Sequence, residues 1–148
     1  MVLVERAAPP DRLDVERLIA AYHASEGVRP RPERISWAVQ QILTNRVGGT
    51  LLVAREKRIV VGVALAVYQP SAELGRVLVL NDFFVEPTLR RRGIGRAIAV
   101  KLLEEAKAMH IDQIDLEVLP TNAAAAAFWK AMGFRNTGRT VYSRAFPG

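Results

Sequence analysis

The residues best suited to chemistry in this 148-residue chain stand between Leu80 and Ala97, where it reads LNDFFVEPTLRRRGIGRA. Arg90, Arg91 and Arg92 precede Gly93, Ile94 and Gly95, and Arg96 comes directly after them. An apolar strand entering a glycine turn and then a helix exposes backbone amides at the helix start, where the helix dipole adds positive charge. Glycines let a phosphate approach those amides, and flanking arginines add charge-assisted hydrogen bonds. The combination points to a bound phosphate or pyrophosphate; the plainer alternative is a tight turn with a solvated arginine face. A nucleoside triphosphate loop needs Gly-Lys and then Ser or Thr, whereas Gly95 is succeeded by Arg96 and Ala97. A dinucleotide loop needs a third small residue where Ile98 stands, and more parallel strands than this pattern offers.

Composition removes other chemistries. There is no cysteine, so disulfides, thiolate metal sites and a covalent cysteine intermediate are excluded. The only histidines, His23 and His110, are far apart in sequence, and no metal is expected. With 21 Lys and Arg against 15 Asp and Glu the net charge is +6, which suits polyanions. A nucleic-acid surface would spread its arginines along a groove among stacking aromatics; here they concentrate at one loop, so no nucleic-acid partner is expected. No run approaches 18 apolar residues, and Met1 to Arg6 lacks the pattern of a secretory signal. The expectation is a cytoplasmic protein with no membrane partner.

The elements that must hold this loop are given by periodicity. Val2 to Val4 reads as a strand, and Pro9, Pro10 and Asp11 open a helix with Val15, Leu18, Ile19 and Tyr22 on one face. A polar stretch from Ser25 to Pro32 leads to a second helix, striped by Ile35, Val39, Ile42 and Leu43. Thr50–Ala54 and Ile59–Tyr68 form a hairpin around the charged turn Arg55–Arg58, although the turn lacks the favoured Asn-Gly. Val77–Val85 is a third long strand. A helix from about Arg92 to Met109 carries Ile94, Ile98, Leu102, Ala106 and Met109 at helical spacing. Ile114–Leu119 reads as a strand, an alanine-rich helix runs to Met132, and Phe134–Phe146 should hold one or two final strands. The order β-α-α-β-β-β-α-β-α-β-β describes one mixed α+β (α/β) domain over residues 1–148, with no repeat and no dividing linker.

The glycine segment resembles the acyl-CoA-binding motif of the GNAT superfamily of N-acetyltransferases, Arg/Gln-x-x-Gly-x-Gly/Ala, here Arg90-Arg91-Arg92-Gly93-Ile94-Gly95. A second motif of that family stands in register after it: Asn122, Ala125, Phe128, Trp129 and then Gly133-Phe134. The resemblance implies a central mixed, mostly antiparallel sheet with splayed central strands, flanked by about four helices. It implies acetyl-CoA as acyl donor and a primary amine as acceptor, either a small molecule or a peptide N-terminus. Homodimers are common in that superfamily, while no residue pattern here points to one.

Carried over residue by residue, the amides of Arg91 through Arg96, Gly93, Ile94 and Gly95 among them, would hold the CoA pyrophosphate. Arg90 would support the loop or the phosphates. The backbone around Phe83, Phe84 and Val85 would pair with the pantetheine, in a gap beside the strand containing Glu117. An amide aimed at the thioester oxygen would stabilise developing charge. Asn122 would contact the cofactor arm, and Trp129 would pack on the pantetheine or acetyl group. Glu117, five residues before Asn122, matches the position of the proposed base in ribosomal-protein N-terminal acetyltransferases; the plain alternative is an outward-facing strand glutamate. Asp82 is the second candidate base, but it falls on the opposite face from Phe83 and Val85 and reads rather as a structural carboxylate.

One departure concerns the acid. The second motif usually carries a Tyr that protonates the leaving thiolate, and Trp129 occupies that place; an indole N–H cannot supply the proton. Water can serve, because a thiol with pKa near ~8.5 leaves without much help. Tyr142 is the other candidate. A non-catalytic acyl-CoA-binding or regulatory module is the alternative that Trp129 raises. The acceptor side falls to Tyr22, His23, Glu26, Arg29, Arg31 and Trp37, whose mixed charge selects no substrate class; His23 reads as a surface or capping residue.

Overall fold

The computed structural model describes residues 2–147. In order these form β1 (Val2–Arg6), α1 (Arg12–Ser25), α2 (Pro32–Leu43), β2 (Gly49–Glu56), β3 (Ile59–Ser71), β4 (Gly75–Val85), α3 (Ile94–Ala108), β5 (Gln113–Leu116) and α4 (Ala123–Ala131). The chain divides into two compact units between Glu117 and Val118, so that α4 belongs to the second and every other element to the first.

In the first unit the five strands form one sheet in the order β1-β2-β3-β4-β5. Neighbours are antiparallel as far as β4, and β4 and β5 are parallel. Leu51–Ala54 and Val60–Ala66 are buried throughout, as expected of central strands covered on both faces. One face receives α1 and α2, whose stripes of Val15, Leu18, Ile19, Ile35, Val39 and Ile42 pack on Leu51, Val53, Val63, Leu65 and Phe84. Pro32 occupies the first turn of α2, where its fixed φ suits a helix and its missing N–H costs nothing. The other face receives α3, through Ile94, Ile98, Ala99, Leu102 and Ala106. Gly62 permits that approach: a Cβ there would stand 2.7 Å from Ile98 Cδ1.

The hairpin between β2 and β3 forms without Asn-Gly. Glu56 pairs with Ile59, leaving Lys57 and Arg58 as a two-residue loop at φ 52° and 68°. Such a loop matches the strand twist only with positive φ at both positions, and the paired strands hold these two long side chains there. A larger difference lies at the C-terminus. Residues 134–147 form no strand, and all but Phe134 are exposed. Asn136 Oδ1 accepts from Gly138 N at 2.8 Å and Thr137 Oγ1 from Arg139 N at 3.2 Å. Such local side-chain bonds compete with a sheet ladder, and apolar residues at 134, 141 and 146 do not alternate regularly enough to overcome them. The strand β5 also ends early, at Leu116, so Glu117 lies just beyond it.

Candidate active site

The glycine turn is built around left-handed backbone. After a short 3-10 turn at Pro87–Leu89, Arg91 has φ 66° and Gly93, the N-cap of α3, has φ 79°. No acidic residue occupies the first turn of α3, so nothing on that helix neutralises its positive end. Arg90 is folded back: its Nε donates to the Val85 carbonyl at 3.1 Å, and its guanidinium lies 5.0 Å from the Phe84 ring centre. That contact ties the loop to the end of β4. Arg92 reaches Glu56 at 3.4 Å across an exposed surface. A row of cations beside the amides of a helix start fits a pyrophosphate.

Next to the turn, the sheet opens. The pairing of β4 with β5 runs from Val77 opposite Gln113 to Leu80 opposite Leu116 and stops there. From Asn81 to Val85, β4 continues alongside β3 but has no β5 partner. A bulge coincides with this point: Ala66 opposes Leu80 and Leu65 opposes Asp82, so Asn81 is an extra residue. The bulge reverses the facing of the side chains beyond it. Asp82 and Phe84 turn to the face of α1 and α2, whereas Phe83 and Val85 lie toward Gly95 at the start of α3. A strand edge with no neighbouring strand is a template for an extended partner, and the pantetheine amides have the matching donors and acceptors.

On the α1–α2 face the structure assembles a group that spacing alone does not join. His23 Nε2 lies 2.7 Å from Asp82 Oδ1, and Asp82 is 9% exposed. Burial raises the Asp82 carboxyl above the usual carboxylate range, and the bond to His23 partly opposes that. Both side chains line a cavity of about 220 Å³ with Arg29, Arg31 and Arg34. Beside them, Tyr22 packs on Phe84 at 6.1 Å between ring centres. Burial first, then its hydrogen bond to Glu26 and the charges of Glu26, Asp82 and Glu117, push the Tyr22 hydroxyl up to about 12. Glu117 is exposed at the end of β5 and acts on Tyr22 through its charge. Trp37, 66% exposed on α2, takes no part in the cavity. Spacing gave no sign that His23 and Asp82 meet; Asp82 inside an apolar strand run was the available signal.

In the second unit, Asn122 caps α4, its Oδ1 accepting from Ala125 N at 3.0 Å. Trp129 is buried, edge-on to Phe128 at 4.8 Å and Phe134 at 5.2 Å. Tyr142 is 92% exposed in the extended C-terminal stretch.

The pattern of the acetyltransferase (GNAT) family matches residues 14–134, most of the chain. The chain belongs to that family. A thialysine N-epsilon-acetyltransferase of Bos taurus is 38% identical over 74 residues, 50% of this chain and 44% of that protein. A ribosomal protein bS18-alanine N-acetyltransferase of Salmonella typhimurium is 38% identical over 68 residues, 46% of this chain and 45% of that protein. The match thus spans about half the length of these curated relatives. Among solved structures, an aminoglycoside N-acetyltransferase in complex with CoA superposes with a TM-score of 0.82 at 16% identity, over 98% of this chain and 95% of that one. The fold is therefore that of the GNAT acetyltransferases. Among the described residues no cluster of three His, Cys, Asp or Glu could hold a metal, and no helix is long and apolar enough to cross a membrane.

Proposed function

We propose that this GNAT family member is an N-acetyltransferase that moves an acetyl group from acetyl-CoA to a primary amine by direct attack. The observation that carries the reading is the coincidence of the left-handed arginine-glycine turn with the stretch of β4 that runs on beyond its pairing with β5. Phosphate-seeking amides and a strand edge meet within about ten residues of chain, as an extended, pyrophosphate-bearing thioester requires. Two matched relatives, named for thialysine and for the alanine of bS18, act on amines, which agrees with an amine acceptor.

The acetyl thioester supplies an activated acyl group. The protein's part is to hold it and to manage one proton. Amides from Arg91 to Arg96 take the pyrophosphate, with Gly93 leaving it room. Backbone groups of Phe83, Phe84 and Val85 take the pantetheine, and one of these amides faces the thioester oxygen, where charge develops. An alkyl ammonium has a pKa near ~10, so the attacking amine must lose a proton first. Glu117 accepts it, directly or through water, from its exposed place beyond β5. Water protonates the departing thiolate. The reading takes residues 1–148 as one acetyltransferase domain in the cytoplasm, where a chain without cysteine needs no oxidising compartment.

A thiol-release assay with acetyl-CoA tests this, using polyamines, amino acids, aminoglycosides and free peptide N-termini as acceptors. Release with one amine class, sharply reduced in Glu117→Gln, supports the enzyme and its base. Equal rates in Glu117→Gln remove Glu117 from the mechanism. Tight acetyl-CoA binding with silence across the panel favours a binding module.

A further inference from the structure

We propose that the cavity between α1, α2 and β4 is the acceptor pocket, and that its acceptor is a small primary amine bearing an anionic group. The inference rests on the acetyltransferase reading and adds the substrate class. Ile19, Ile35 and Leu65 supply apolar wall to the cavity. Its charged residues divide by sign. Asp82, held by His23, is the carboxylate in the lining, and it stands on β4 directly beside Phe83, at the edge proposed to hold the thioester. Arg29, Arg31 and Arg34 supply the cations, from the connection before α2 and from its first turn.

The arginines are not consumed by the fold. Arg31 lies 3.6 Å from Glu33, an exposed contact that an incoming anion can replace, and Arg29 and Arg34 form no ion pair among the described residues. Guanidinium groups so placed bind carboxylate or phosphate with paired hydrogen bonds. The Asp82 carboxylate complements an ammonium ion before it is deprotonated. A lining that offers one carboxylate and three guanidinium groups suits a molecule that carries both an ammonium and an anionic group. A cavity of about 220 Å³ has room for the amine and anionic groups of an amino acid or phosphoamine.

The experiment compares acids with their uncharged counterparts: L-lysine and L-alanine against their carboxamides, cadaverine as the decarboxylated control, and O-phosphoethanolamine against ethanolamine. Each is assayed by thiol release from acetyl-CoA and by saturation-transfer NMR on protein saturated with CoA. Wild type is compared with Arg29→Gln/Arg34→Gln, whose exposed positions leave the melting temperature in place. The expected result is at least a tenfold higher kcat/KM for one anionic member over its neutral partner. The double variant should bring that ratio within threefold, mainly through KM, and the pair that responds tells carboxylate from phosphate. Neutral amines accepted equally well, or a ratio untouched in the variant, overturn the anion pocket while leaving the acetyltransferase standing. Should no member be acetylated, NMR decides: anion binding lost in the double variant upholds the pocket as the transfer reading fails, and absence of binding overturns the pocket.

Discussion

Asp82 and His23 are 59 positions apart in sequence and 2.7 Å apart in the fold, one on β4 and one on the last turn of α1. Their contact depends on the bulge at Asn81, without which Asp82 would share the face of Leu80 and turn away from α1. Burial raises the Asp82 carboxyl, so the folded protein holds this proton more readily than the unfolded chain. The ionised form therefore works against folding at neutral pH, and that cost is relieved as pH falls through the raised pKa. Asp82→Asn should match or exceed the wild-type melting temperature at pH 7, and the difference should shrink toward pH 4. A charge-assisted hydrogen bond to an ammonium contributes about 1.5–3 kcal/mol, so kcat/KM for the amine should fall about 10- to 150-fold. Thermal melts and kinetics on one preparation check both. A variant that loses stability but retains activity would make Asp82 structural.

Gly93 and Gly95 belong to one motif but answer to different constraints. Gly93 has φ 79°, and its surroundings leave space for a Cβ, so only backbone conformation demands glycine there. Gly93→Ala should cost about 1–2 kcal/mol and weaken acetyl-CoA binding by disturbing the amides. Gly95 lies inside α3, and a Cβ there would meet Phe83 and Val85 at 3.8 Å, ordinary contact. Gly95→Ala should be neutral or stabilising by up to about 1 kcal/mol, with CoA affinity retained. Urea unfolding and a CoA titration of both variants separate the two roles.

Legibility in the sequence tracked the range of the interactions involved. The stripes Val15-Leu18-Ile19 and Ile94-Ile98-Leu102 repeat within single helices, and each is buried as its spacing requires. The turn from Arg90 to Gly95 is equally local, since glycine and charge mark it directly. The His23–Asp82 pair was not legible, because it needs the β4 bulge and the seating of α1 as well as the two residues. Residues 134–146 carried strand-forming types but no register, and their backbone instead bonds to Asn136 and Thr137. Strand propensity without a partner strand decides little.

Stronger acid should act at the other end of α1. Arg55 donates to Asp11 at 2.8 and 2.7 Å and to Glu5 at 2.7 Å, joining β2 to β1 and to the turn before α1. The Arg55 guanidinium holds the Asp11 carboxyl below its usual value, against the opposing effect of burial. A lowered carboxylate contributes stability that is fully present above the unfolded value near ~3.9 and is lost as pH falls through the folded one. Asp11→Asn keeps the shape and removes the charge. It should cost about 1–3 kcal/mol at pH 7, and the gap from wild type should close toward pH 2. Urea titrations at both pH values test this, and a gap independent of pH would show that packing, not charge, holds the turn.

Arg90 offers a test in which charge is kept and geometry removed. Its Nε is bonded to the Val85 carbonyl and its guanidinium stacks on Phe84, so it braces the loop against the end of β4. Lysine at this position carries the same charge but has no planar fork to make both contacts. Arg90→Lys should release the turn and weaken acetyl-CoA binding by about five- to tenfold, near 1 kcal/mol. Arg92→Gln removes a charge whose 3.4 Å partner, Glu56, lies on the surface. Its effect on affinity should shrink as salt rises, because exposed charges are screened. The Arg90→Lys loss should persist at high salt. Calorimetric titrations of both variants at two salt concentrations give the comparison, and a salt-sensitive loss in Arg90→Lys would assign Arg90 to the phosphates instead of the loop.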